Sequence, residues 1–284
     1  MNDRALVLGG GGLAGIAWMS GLAHGLAESG VALANANRII GTSAGAVVAA
    51  QLANGTPPSD LYQRQVDPAL QPRDLPPKID RWTLIRHAVP ILLSRKKPAE
   101  RTIRIGRMAR AAKTRALQAR LDILAERLPS QHWPKRDIRI VAVDTESGEA
   151  VEFGAQDGVD LLYAVAASCA LPLLWPPVSI NNHSYMDGGM RSPDNADLAT
   201  GFGKVLVISP TAKMGLKLAG WDLEAQIGRL KAQGAEVHLV EPDTAARMAI
   251  GRNPLAPETR QPSAEAGLAQ GRKAAAAVAK FWGK

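Results

Sequence analysis

Ile39-Ile40-Gly41-Thr42-Ser43-Ala44-Gly45 reads as a short apolar strand that ends in Gly-x-Ser-x-Gly. Ala46-Val47-Val48-Ala49-Ala50-Gln51-Leu52-Ala53 follows and reads as a helix. Strand, sharp turn, helix is the setting in which this pentapeptide presents a nucleophilic serine. Such a turn is tight and strained, so small residues are needed at Gly41 and Gly45, where the neighbouring strand and helix crowd in. A helix starting at Ala44 aims free N–H groups and a partial positive charge at the serine oxygen. The same seven residues also suit an ordinary glycine-rich turn with an incidental serine. The rest of the chain has to decide.

Upstream, residues 4–9 read as a buried strand that runs into Gly9-Gly10-Gly11-Gly12-Leu13-Ala14-Gly15, and the spacing predicts a helix over 13–29. Gly30 follows as its stop. Residues 10–15 satisfy G-x-G-x-x-G, which opens a dinucleotide-binding reading. That reading requires an acid at the end of the second strand. This chain has Gly41-Thr42-Ser43 there, and Glu28 sits on the helix instead. The other use of the loop is anion stabilisation: crowded glycine N–H groups converge on one point. A strand–helix–strand unit puts the loop beside Ser43. Its amides and that of Ala44 could then hold the oxyanion of a tetrahedral intermediate.

The chain has 284 residues and is 46% hydrophobic but only 4% aromatic, which predicts a sizeable aliphatic core. One cysteine, Cys169, excludes an internal disulfide framework and fits a reducing compartment. With no secretory segment before the first strand and no uncharged run that suits a membrane helix, a cytoplasmic location is expected. The formal charge of +8 is local in origin, because 60–136 carries 18 Lys and Arg against 7 Asp and Glu. Within the wider stretch 54–136 prolines break the chain into short pieces, and Trp82, Ile85, His87 and Ile91 sit among Arg81, Arg86 and Arg95. Residues 114–128 read as an amphipathic helix with Leu117, Leu121, Leu124 and Leu128 on one face. This region is expected to be a basic helical cap inserted into a single domain spanning 1–284. Its basic face is either simply solvated or turned toward anionic lipid headgroups at a membrane. No nucleic-acid partner is expected, since no recognised nucleic-acid fold or stacking pattern accompanies the charge.

An alternating strand–helix pattern returns at Asp137, with strands expected at 138–143, 151–153, 204–208 and 236–240 and helices at 159–168, 222–233 and 263–280. Such alternation implies an α/β fold with a mostly parallel sheet covered on both faces. Asp144 at a strand end is one candidate acid. Asp187, followed by Gly188-Gly189, is another: the glycines let it approach a second tight turn, where a carboxylate could take the proton of Ser43. A histidine base is harder to place. His24 lies in a helix, His87 and His132 in the basic stretch, His238 along a strand and His183 just before the strand segment of Asp187. The serine also comes on the second strand, unlike the order of the usual α/β-hydrolase triad.

Three separated stretches in one order resemble the patatin-like phospholipase family: the glycine loop from Gly10 to Gly15, Gly41-Thr42-Ser43-Ala44-Gly45, and Asp187-Gly188-Gly189. The run Ala167-Ser168…Pro172…Pro176-Pro177-Val178 is similar to that family as well. The resemblance implies a three-layer α/β/α sandwich and a Ser–Asp dyad hydrolysing lipid acyl esters without metal or cofactor. It implies Ser43 as nucleophile, Asp187 as general base, and oxyanion N–H groups from Gly10, Gly11 and Gly12, joined by Ala44. Gly15, Gly41, Gly45, Gly188 and Gly189 complete the motifs. Many members carry Arg or Lys just before the last loop glycine, whereas this chain has Ala14. Any help from a cation at that place is absent. Two other readings stay open: an acyltransferase, although Thr42 stands where such enzymes usually have histidine, and a non-catalytic nucleotide- or lipid-binding protein.

Overall fold

The structure is a computed structural model that describes residues 3–71, 98–212 and 222–283. The expectations resting on Trp82, Ile85, His87 and Ile91 lie outside these residues. Chain order is β1 (Arg4–Leu8), α1 (Gly12–Ala27), β2 (Arg38–Thr42), α2 (Ala44–Ala53), α3 (Pro58–Val66), α4 (Pro98–Ala111), α5 (Leu117–Arg127), β3 (Asp137–Asp144) and β4 (Ala150–Phe153). It continues with α6 (Leu161–Ser168), β5 (Val178–Ile180), β6 (His183–Asp187), β7 (Lys204–Ile208), α7 (Leu223–Ala232), β8 (Glu236–Val240), α8 (Thr244–Ile250) and α9 (Arg260–Trp282). Most boundaries fall within two or three residues of those expected from sequence. α3, α4, β5 and α8 are additions the sequence reading did not contain.

The sheet runs β5-β6-β3-β2-β1-β7-β8, with β4 also on β3. β3, β2, β1, β7 and β8 are parallel, as right-handed crossovers require. β4 and β6 run antiparallel to β3, and β5 antiparallel to β6. The period-2 alternation of the strands then builds two cores. Leu6, Leu8, Ile39, Ile138 and Ile140 face one side, against α1, α2 and α6. Ala5, Val7, Ile40, Val141 and Val205 face the other, against α7. Helices on both sides of one mixed sheet give a three-layer α/β/α sandwich.

Registry decides where the site forms. Thr42, the last residue of β2, pairs with Val141 of β3. Asp187, the last residue of β6, pairs with Ala142 from the opposite direction. Two strands flanking β3 therefore leave the sheet at the same height, although they run oppositely.

Leu61 of α3 and Leu121, Leu124 and Leu128 of or just after α5 belong to the same core as α1 and α2. Gly106 of α4 sits against the backbone of Thr145 just beyond β3. The described helices of the basic stretch are thus packed onto the sandwich. Among the described residues, no helix is long and apolar enough to cross a membrane.

Candidate active site

Ser43 occupies the turn between β2 and α2 with φ 53° and ψ −113°, a sparsely populated conformation for a residue with a side chain. The turn closes only because Gly45 lacks a Cβ: one built there would collide with the Leu8 carbonyl. The Ser43 amide donates to Ser168 Oγ at 2.8 Å, and Ser168 Oγ donates to Val141 O at 2.6 Å. Ser168 thus links the strained turn to β3 through two successive hydrogen bonds. Cys169 Sγ adds a contact to Ser43 O at 3.3 Å. Burial pushes this thiol up to about 11, so it remains protonated.

Ser43 Oγ donates to Asp187 Oδ2 at 2.8 Å. Asp187 Oδ1 accepts from Gly189 N at 2.8 Å, which fixes the carboxylate plane. Asp187 is only 4% exposed. Burial pushes its carboxyl up to about 6, opposed by the hydrogen bonds from Ser43 and Gly189 and by the charge of Arg120.

Beside this pair lies a cleft of about 300 Å³, lined by Gly10, Gly11, Gly12 and Ala44 on one side and by Leu171, Leu174 and Trp175 on another. Gly11, Gly12 and Ala44 belong to the starts of α1 and α2, where N–H groups lack intrahelical acceptors. Gly10 does not fit the donor role expected of it. Its N–H is given to Pro193 O at 2.8 Å, so it anchors the loop instead of facing a substrate oxygen. Gly12 has φ 63° and a Cβ there would lie 2.8 Å from Pro254 O, which explains the glycine. Gly15 packs inside α1 against Pro210, and Gly41 packs against Ala46. The Gly188 carbonyl accepts from Asn195 Nδ2 at 3.2 Å.

The other candidates go elsewhere. Asp144 Oδ1 accepts from the amides of Glu146 and Ser147, and its Oδ2 faces His183 Nδ1 at 3.0 Å. Burial raises its carboxyl, but the Ser147 and Glu146 amides and His183 outweigh it and leave it lowered. It organises a turn. Glu28 is held by Arg272 at 2.6 and 2.8 Å, which removes it as a ribose acid. His24 packs on Tyr62 and His238 on Phe281. None of the described histidines lines the cleft.

Sequence reading missed two features. Asn195 Nδ2 donates to Thr42 Oγ1 at 3.1 Å as well as to Gly188 O and Ser192 O, tying the serine strand to the aspartate turn. Thr42 and Asn195 are 153 residues apart, so nothing local announced the link. The basic face of α5 is not simply solvated: Arg120 and Arg127 both line the cleft, and Arg127 is 5% exposed. The cleft therefore has cations despite Ala14, which is buried with its amide on Pro254 O. The i, i+7 spacing of the two arginines, flanking Leu121 and Leu124, was a readable signal.

An elbow serine on an α/β/α sheet, hydrogen-bonded to an acid from a neighbouring turn, defines a class of α/β/α proteins built around a presented hydroxyl. Within that class the chain belongs to the patatin-like phospholipase family, whose model matches residues 6–200. Among solved structures it is similar to VipD from Legionella pneumophila, with a TM-score of 0.51 at 13% identity, over 98% of this chain and 67% of that one. The type III effector protein ExoU is also similar, with a TM-score of 0.41 at 17% identity over 97% of this chain and 53% of that one. At such identities the VipD likeness speaks to the fold. No curated protein sequence matches the chain.

Proposed function

We propose that this protein is a serine-dependent lipid acyl hydrolase, of phospholipase A or esterase type, working through a Ser43–Asp187 dyad. Membership of the patatin-like phospholipase family supports lipid ester hydrolysis. The observation that carries the dyad is the 2.8 Å hydrogen bond from Ser43 Oγ to Asp187 Oδ2 at a strained elbow. Ser43 Oγ attacks the ester carbonyl while Asp187 takes its proton. Negative charge growing on the carbonyl oxygen meets the N–H groups of Gly11, Gly12 and Ala44. The alcohol departs with the proton, leaving an acyl-enzyme. Asp187 then draws a proton from water, which releases the acid and restores Ser43.

The apolar wall of Leu171, Leu174 and Trp175 suits an acyl chain. We read 1–284 as one domain with 54–136 as a basic insert, supported by the family match running across that stretch and by the shared core. Arg104, Arg107 and Lys113, exposed on or just after α4, suit an anionic membrane surface. Binding to anionic vesicles should weaken with salt, and equal binding to neutral vesicles would count against this contact.

The test is fluorophosphonate labelling of wild type, Ser43→Ala and Asp187→Asn, with release of acid from a short p-nitrophenyl ester. Labelling should vanish in the first variant and fall strongly in the second. Labelling that survives in Ser43→Ala sinks the reading and returns the glycine loop to a binding role. Acyl groups appearing on an added alcohol instead of as free acid would favour the acyltransferase.

A further inference from the structure

Helix α5 of the basic stretch reaches the reaction centre itself. Arg120 lines the same cleft as Ser43, Asp187 and the loop glycines. Its guanidinium carbon sits 4.5 Å from the centre of the Trp175 ring, which fixes the side chain on the cleft wall. Its charge favours ionisation of the Cys169 thiol, whose sulfur contacts the Ser43 carbonyl. One and two turns along, Leu124 and Arg127 continue the same helix, and Arg127 is buried and lines the cleft. Leu121 and Leu124 are buried in the main core, so the two cations are held on a packed helix.

A guanidinium is always charged, and its planar fork matches a phosphate or carboxylate. Beside the buried Asp187 and Arg127 that charge acts more strongly on a nearby anion than it would at an open surface. We propose that Arg120, backed by Arg127, is the specificity-determining residue of this site. It selects acyl esters that carry a phosphate close to the scissile bond over uncharged esters of the same acyl chain. This rests on the reading of Ser43 as nucleophile. Selection here acts on a single substrate molecule and is separate from any attraction of the whole protein to a membrane.

The experiment uses short-chain substrates below their aggregation threshold, so that membrane binding plays no part. Wild type, Arg120→Gln, Arg120→Lys and Ser43→Ala are compared on a 1-acylglycerol 3-phosphate and on the matching uncharged 1-acylglycerol. The ratio of kcat/KM values, phosphate over neutral, should fall at least tenfold in Arg120→Gln, mainly through KM, and recover in part in Arg120→Lys. On wild type alone, a non-hydrolysable alkyl phosphate should inhibit at least tenfold better than the matching alcohol, and lose that advantage in high salt. An unchanged ratio, or equal inhibition by the two analogues, overturns the proposal. A role limited to packing would lower both substrates equally and leave the ratio where it was. Turnover that persists in Ser43→Ala is a different outcome: it removes the nucleophile on which the proposal stands.

Discussion

Ser43 Oγ and Asp187 Oδ2 lie 2.8 Å apart although 144 residues separate them in the chain. β3 makes the meeting geometrically necessary. It carries β2 on one register and β6 on another, and both strands end at the level of Val141 and Ala142. The two side chains then leave the sheet together, at turns kept small by glycines.

The pH profile of this pair follows from its burial. Asp187 can accept a proton only when ionised, and its carboxyl is pushed up to about 6. We expect kcat/KM to be lost as pH falls through about 6 and to level off above it. Replacing Arg120 by Gln removes a charge that favours the carboxylate, so the limb should move to higher pH. An ascending limb that stays put in Arg120→Gln would contradict that electrostatic link.

Burial of carboxylates also costs stability. Asp187 and Asp194 both rise to about 6 in the folded protein from an ordinary 3.8. Between those values the unfolded chain loses its proton first, so stability falls as pH rises through the window and stays lowered above it. Each group accounts for on the order of 3 kcal/mol at neutral pH. Asp194, at 3% exposure, lies outside the proposed dyad. Asp194→Asn should raise Tm at pH 8 by roughly 4–8 °C, with the gain shrinking toward pH 4. Calorimetry showing the same change at both pH values would refute the linkage.

Thr42 is the residue through which Asn195 grips the serine strand. Thr42→Val keeps the shape and β-branching but removes the acceptor. A buried amide left with poorer partners costs about 1–3 kcal/mol. We expect a lower Tm and a kcat reduced by roughly 3- to 30-fold, with KM little changed. A KM effect without a kcat effect would mean that Thr42 shapes the cleft instead of positioning Ser43.

Two glycines should respond in opposite ways. Gly45→Ala drives a methyl group into the Leu8 carbonyl and should destabilise the fold by more than about 3 kcal/mol. Gly228 lies within α7 with open space around it. Gly228→Ala should stabilise by about 0.5–1 kcal/mol. Denaturant midpoints for both variants check the pair.

The α/β character and the elbow serine Ser43 were legible because they depend on local rules, while the family and Asp187 were reached through the order of three separated motifs. Period-2 strands, glycines at tight turns and a Gly-x-Ser-x-Gly between strand and helix are written in neighbouring residues. The sequence alone thus determined the α/β character and the identity of the candidate hydroxyl, and left Asp144 and Asp187 as the candidate acids. Long-range registry decided the rest. Whether Gly10 faces a substrate or Pro193, whether Asp144 or Asp187 reaches Ser43, and whether Arg120 meets water or the cleft all depend on which strand ends lie at the same height. Such pairings are set by packing across the whole sheet, since burying one face of a strand fixes its register against neighbours far away in sequence.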